Sequence, residues 1–171
     1  MLRQHLALAS AFLLALILGL GGATADDLPA PESDIVLTVT GAIVVTNKDG
    51  AAVFDMDMLK ALPATTFETS TIWTDGVNEY TGVALDDFLA AVGAKGDNVN
   101  AIALNDYAVD IPASDAVKGG PIIAYEMDGE VMSVRDKGPL WLIYPFDSST
   151  DYRKETIYAR AIWQLDRLKI E

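Results

Sequence analysis

Three cations and a few aromatic rings carry most of the chemistry this sequence can do. Arg135 and Lys137 stand two residues apart just before Gly138-Pro139, and Arg160 follows later in the chain. An arginine presents a planar fork of N–H donors that matches a phosphate or a carboxylate, and a lysine adds a point charge. These three residues are therefore read as candidates to hold an anionic group. The alternative is surface pairing with Asp136, Asp147 or Glu155, which is common for exposed charges. Trp73, Tyr107 and Tyr144 are candidates to line a pocket for a planar ligand. Trp141 and Trp163 are read as core, because large aromatics dominate interiors.

Much chemistry is excluded by what the chain lacks. There is no cysteine, and the single histidine is His5, at the very start. Beyond that start there is neither thiol nor imidazole, which rules out disulfides, thiolate or imidazole metal sites, and Ser-His or Cys-His nucleophile pairs. No EF-hand spacing occurs, and Asp55-Met56-Asp57 is too small a group to read as a metal site. Asp86-Asp87 has the form of a carboxylate pair, but acids at a helix start are explained by the helix dipole alone.

The elements that must position the candidates follow from the spacing of apolar residues. Ile35–Thr46, rich in β-branched residues with Gly41 in the middle, reads as two short strands or one bulged strand. Asn47–Gly50 is a turn, and Asp55 can cap a short helix that turns Met58, Leu59 and Leu62 inward. Residues 66–74 alternate and 77–81 return, with Asp75-Gly76 at the turn and Gly82 as the end of the hairpin. A helix follows through Leu85, Phe88, Leu89 and Val92 and stops at Gly93. Residues 99–104 and 107–111 form two strands around Asn105-Asp106, and 113–118 a helical turn. Residues 121–127 and 130–134 flank the turn Asp128-Gly129. Residues 140–145 read as a buried strand, with the two cations at its entrance and Tyr144 near its far end. A polar excursion at 146–156 precedes a late strand at 158–165, and 167–171 closes the chain. Many strands, few helices and no repeats predict one α+β domain with mixed or antiparallel pairing.

The first 25 residues read as an export signal: Arg3, an apolar core from Leu6 to Leu20, and Ala23-Thr24-Ala25 as a small-residue cleavage site. Cleavage after Ala25 would deliver a periplasmic or secreted product with no further membrane segment. Residues 26–34 read as a disordered lead-in and 35–171 as the domain. Charge is divided. Residues 26–130 hold four lysines, no arginine and nineteen acids, whereas 131–171 hold seven cations and six acids. So acidic a body excludes nucleic acid as a partner and leaves a local cationic region able to take a small anion.

Five blocks in order carry a family resemblance. They are Tyr80–Leu89 (YTGVALDDFL), Asp106–Pro112 (DYAVDIP), Ala124–Glu130 (AYEMDGE), Gly138–Pro145 (GPLWLIYP) and Ile162–Leu168 (IWQLDRL). Together they resemble the oxidoreductase molybdopterin-binding domain, the central domain of the sulfite oxidase family. The resemblance implies a mostly β sulfite-oxidase-type molybdopterin-binding fold with a few short helices. It also makes a molybdopterin-type cofactor the candidate ligand, although no residue in the sequence requires one. The family binds molybdenum through a cysteine in the loop after the first long strand; here that loop falls near Ile72–Gly76 and holds no sulfur. Soft thiolate ligation is the chemical basis of that site. Trp141 stands where the family carries a basic residue after Pro-Leu, and Ile162 where it carries one before the late tryptophan. The chain is thus expected to be a small stand-alone form without the metal ligand.

Three readings of function follow. The first is an exported, non-catalytic ligand-binding or sensory-accessory domain, with a small anionic or pterin-like ligand and room for a protein partner. The second is a molybdopterin-dependent oxidoreductase whose metal is ligated without cysteine. The third is a structural subunit without ligand. The sequence does not choose whether the chain is an enzyme, and no residue is assigned to catalysis or to a metal.

Overall fold

The computed structural model describes residues 28–171; the expected export signal lies outside the described residues. In chain order the strands and helices are β1 Leu37–Gly41, β2 Ala52–Phe54, α1 Met56–Ala61, β3 Ala64–Ser70, β4 Val77–Ala84, α2 Leu85–Ala91, β5 Asn98–Ala103, β6 Ala108–Pro112, β7 Ile122–Met127, β8 Glu130–Val131, β9 Trp141–Ile143, α3 Glu155–Tyr158, β10 Ile162–Trp163 and β11 Leu165–Ile170. Short 3-10 turns at Ala113–Asp115, Val134–Asp136 and Thr150–Tyr152 fill the connections. None of the described helices is long and apolar enough to cross a membrane.

The strands form two sheets. The first has the order β2-β1-β11-β5-β6, with β1 and β11 parallel and every other pair antiparallel. The second runs β10-β9-β7-β4-β3, antiparallel throughout, with β8 added to the far end of β7. This is the mostly β, mixed-pairing architecture with a few short helices that the sequence predicts. Burial follows the period-two rule for a half-covered strand: along β5, Val99, Ala101 and Ala103 are buried and their neighbours are not. The core holds Phe54 and Phe88 with ring centroids 5.1 Å apart, together with Leu59, Tyr80, Ile111 and all three residues of β9.

Several local expectations are met in detail. Asp55 caps α1, its Oδ1 accepting from Met58 N at 2.9 Å. At the turn after residue 47, Asp49 and Gly50 both have positive φ, the form that lets two short strands return without splaying. Gly93 ends α2 with φ 61°.

Other expectations are corrected. Residues 35–46 hold one strand, β1, and Gly41 is its end: its φ is 92°, and a Cβ there would run into the Ile170 carbonyl oxygen on β11. Gly82 does not end β4 but lies inside it, where the pairing with β7 skips Tyr125. Residues 28–33, part of the expected disordered lead-in, lie against the domain. Glu32 N and Ser33 N both donate to Asp55 Oδ2, at 2.7 and 3.1 Å, and Pro29 O accepts from Asn47 Nδ2 at 2.7 Å. Residues 158–165 are not one strand: the segment opens as the end of α3, holds the two residues of β10, turns at Gln164 and ends on Leu165, the first residue of β11. Residues 167–170, near the chain's end, belong to β11, which sits in the middle of the first sheet.

Candidate functional site

The β3–β4 connection is where the fold starts to build a site. It spans residues 71–76, longer than a two-residue turn, and side chains fix its path. Thr71 Oγ1 accepts from Trp73 N at 3.0 Å, the Thr71 and Thr74 hydroxyls meet at 2.7 Å, and Asn78 Nδ2 donates to Thr74 Oγ1 and Asp75 O at 3.2 and 3.1 Å. Below the loop, Asp147 clamps the end of β3. Its carboxylate accepts from Ser70 N, Ser70 Oγ and Arg153 Nη2, while its own N–H donates to the buried Thr69 hydroxyl. The Ser70 N–H above all, then the Ser70 hydroxyl and Arg153, hold the Asp147 carboxyl below the usual carboxylate range.

The loop delivers Trp73 into a cluster that contains all three tryptophans of the chain. Trp73 stands 6.0 Å from Trp141 and 5.6 Å from Trp163 between ring centroids, and Trp141 and Trp163 are 6.1 Å apart; every contact is edge to face. Trp141 and Trp163 are opposite each other on β9 and β10. Phe146 and Tyr158 complete the surround, at 6.1 and 5.9 Å from Trp73. Edge-to-face contact is the favoured arrangement because the positive ring edge meets the negative ring face.

On the solvent side of this cluster lies a groove of about 480 Å³. Its lining includes Trp73, Tyr158 and Trp163, Asn105 and Tyr107, and Glu155. Tyr107 is brought there by the turn between β5 and β6. Asp106 takes positive φ, Asn105 Oδ1 accepts from Tyr107 N at 3.1 Å, and Arg167 Nη2 holds the Asp106 carboxylate at 2.6 Å. Gln164, with φ 53°, bends the chain between β10 and β11 at the groove's lower lip.

The six residues singled out from sequence do not converge on one place. Trp73 and Tyr107 line the groove. Tyr144 is fully buried beneath it, and its hydroxyl donates to Asp115 Oδ2 at 2.7 Å. Burial first, and that carboxylate second, push the Tyr144 hydroxyl well above its usual pKa. Arg160 is engaged with the same oxygen through Nη1 at 2.8 Å, so its partner is Asp115 rather than Asp136, Asp147 or Glu155. Lys137 has left-handed backbone, φ 73°, and its Nζ stands over the Trp141 ring at 5.8 Å. Arg135 is exposed on the adjacent 3-10 turn. The turn is tied to the groove's lip, since Gln164 N donates to Lys137 O at 3.0 Å and Gln164 Nε2 to Val134 O at 2.7 Å, but neither cation is among the lining residues.

Sequence reasoning passed over Trp163, Tyr158 and Glu155. Trp163, read as core, is 37% exposed and forms a wall of the groove, whereas Trp141 is fully buried as expected. The signal was the alternation of Ile162 and Trp163 along a strand: one of two neighbours must face outward.

The lining also tests which parts of a pterin–metal cofactor these residues fit. Trp73, Tyr158, Trp163 and Tyr107 supply faces for a planar ring. There is no cysteine for a soft metal, no cluster of His, Asp and Glu among the described residues able to hold a metal, and no Lys or Arg in the lining to meet a phosphate. The side chains present therefore fit a flat organic group and do not fit the metal or the phosphate.

A family model described as the oxidoreductase molybdopterin binding domain matches residues 28–154. The chain belongs to that family. No curated protein matches it. The matched stretch includes the Trp73 loop and Tyr107 and ends before Glu155, Tyr158 and Trp163.

Proposed function

We propose that this member of the molybdopterin-binding oxidoreductase family is an exported, non-catalytic binding domain that holds a small organic ligand in the Trp73–Trp163 groove. One observation carries the reading: the groove is lined by aromatic side chains in the place where the family's metal-ligand loop falls, and its lining offers neither a sulfur nor a cation. A planar, pterin-like ring suits such walls, because stacking on an aromatic face needs no particular hydrogen-bond pattern. The protein's work is then to bind and to report occupancy to a partner. Ile72 and Leu104, both exposed beside the groove, are the apolar surface such a partner would cover. Export is supported by the Arg3, Leu6–Leu20 and Ala-Thr-Ala pattern.

The test is purification from the periplasm of cells that make molybdenum cofactor. N-terminal sequencing begins at Asp26, elemental analysis gives molybdenum far below one atom per chain, and mass spectrometry of the released small molecules identifies the ligand. Close to one molybdenum per chain would overturn the non-catalytic reading. A full-length chain confined to the cytosol would overturn export.

A further inference from the structure

The charge of the groove's ligand follows from how its walls are set. Trp73 meets Trp163 at 71° and Tyr158 at 82°, with centroids 5.6 and 5.9 Å away. Two rings thus stand steeply on a third and all three open into the same groove. Three rings set at steep angles around one small volume suit a cation, because an aromatic ring carries negative charge density on its face. The one charged side chain in the lining is Glu155. It is exposed, at the start of α3, and makes none of the ion pairs formed among the described residues. The cations nearest to it in sequence are engaged elsewhere: Arg153 pairs with Asp147, Lys154 with Asp151 and Arg160 with Asp115. The chain as a whole carries a net charge of −13, which at long range draws a cation rather than an anion toward the molecule.

We infer that the groove takes an organic cation, a substituted ammonium whose alkyl groups rest on Trp73, Tyr158 and Trp163 and whose charge is balanced by Glu155. The inference rests on the groove being the ligand site and adds the charge class. Aromatic faces supply both contact area and attraction for the diffuse charge of an alkylated ammonium, which sheds water far more readily than a bare ammonium. Glu155 adds an exposed carboxylate to the lining, able to meet the charge without being buried itself. An anionic ligand would meet that carboxylate and an aromatic lining with no cation to balance it. This replaces the anion expected from the sequence, because the residues on which that expectation rested do not line the groove.

The experiment uses the purified protein and four probes: choline, phenyltrimethylammonium, 3,3-dimethylbutan-1-ol as the uncharged counterpart of choline, and neutral pterin. Binding is measured by calorimetry and by the indole N–H signals of Trp73 and Trp163. At least one of the two cations binds about tenfold or more tighter than the alcohol. Trp163→Ala weakens that cation by about tenfold. Glu155→Gln, at an exposed position that leaves the fold intact, weakens it by about threefold and removes most of its salt dependence. If neither cation binds, or the alcohol binds as tightly, or Glu155→Gln binds the cation as wild type does, the inference is wrong. Should pterin or the alcohol then still shift the indole signals, the groove remains the ligand site and only its charge class has failed. Should no probe shift them, the proposed function fails with it.

Discussion

Tyr144 and Arg160 donate to the same oxygen, Asp115 Oδ2, at 2.7 and 2.8 Å, so one carboxylate on the short turn after β6 ties the end of β9 to the segment between α3 and β10. That segment continues directly into Ile162 and Trp163, and the pair therefore sets where the groove's wall stands. Asp115→Ala leaves a buried phenol and a largely buried guanidinium without their acceptor. A loss of about 2–3 kcal/mol in urea denaturation is expected, against about 1 kcal/mol for Tyr144→Phe, which leaves the ion pair in place. Equal losses for the two variants would mean that Arg160 contributes nothing.

The same tyrosine fixes the alkaline limit of stability. Burial raises the Tyr144 pKa above its unfolded value, and Tyr80, Tyr125 and Tyr152 shift the same way for the same first reason. A phenol whose folded pKa is raised contributes stability that is complete below the unfolded pKa, about 10, and is lost as pH rises beyond it. Denaturation midpoints should hold up to about pH 10 and fall above it, with a shallower fall in Tyr144→Phe. A wild-type and variant fall of the same slope would show that Tyr144 is not the group that titrates.

Asp55 limits the acid side. Its carboxylate is held below the ordinary range first by the Met58 N–H of α1, with Glu32 N and Ser33 N adding to it. A carboxylate whose folded pKa is lowered contributes stability that is present above the unfolded pKa and is lost as pH falls through the folded one. Asp55→Ala should lower the urea midpoint at pH 7 clearly more than Asp57→Ala, and should flatten the loss of stability below pH about 4. It should also release residues 28–33, read as faster amide exchange at Glu32 and Ser33. Unchanged exchange there would contradict the tether.

Gly82→Ala should be among the most harmful single-methyl additions. The new Cβ would run into the Ile123 carbonyl oxygen and Ala124 Cα, both backbone atoms of the neighbouring strand β7, which cannot turn aside as a side chain can. A cost of about 3 kcal/mol or more is expected in equilibrium unfolding. Gly76→Ala, in the β3–β4 loop, meets nothing and carries only the strain of its φ of 69°, so it should cost less. The reverse order would indicate that β4 and β7 separate at the bulge.

What was legible in the sequence was what local pattern controls. The hairpin of β3 and β4 showed in a threonine-rich run before Asp75-Gly76, and the cap of α1 in one aspartate before an apolar turn. The family could be read because five blocks keep their order, and with it came the fold. What stayed hidden depends on long-range placement. α3 has four residues, too few for a helical period to declare itself, so the approach to β10 read as strand. β11 is broken by a bulge between Leu165 and Arg167, which puts Leu165, Leu168 and Ile170 out of strict alternation. Arg160 finds its acid 45 residues upstream, and nothing near it in sequence points there. The charge division between the two parts of the chain is real, but it did not mark the lining of the groove: Arg167 pairs with Asp106 and Asp166, Arg153 with Asp147, and Lys154 with Asp151.

The parallel pairing of β1 with β11 sets the timetable of biosynthesis. β1 can pair with β2 as soon as both leave the ribosome, but its other edge waits for a strand that lies roughly 120 residues further on, a loop expensive to close early. β5 waits for the same strand. Until the last six-residue strand is synthesised, the first sheet exists only as two separate hairpins with facing edges open, while the second sheet already has all of its strands to hand. The first sheet locks only when β11 slides in between its two partners, β1 and β5.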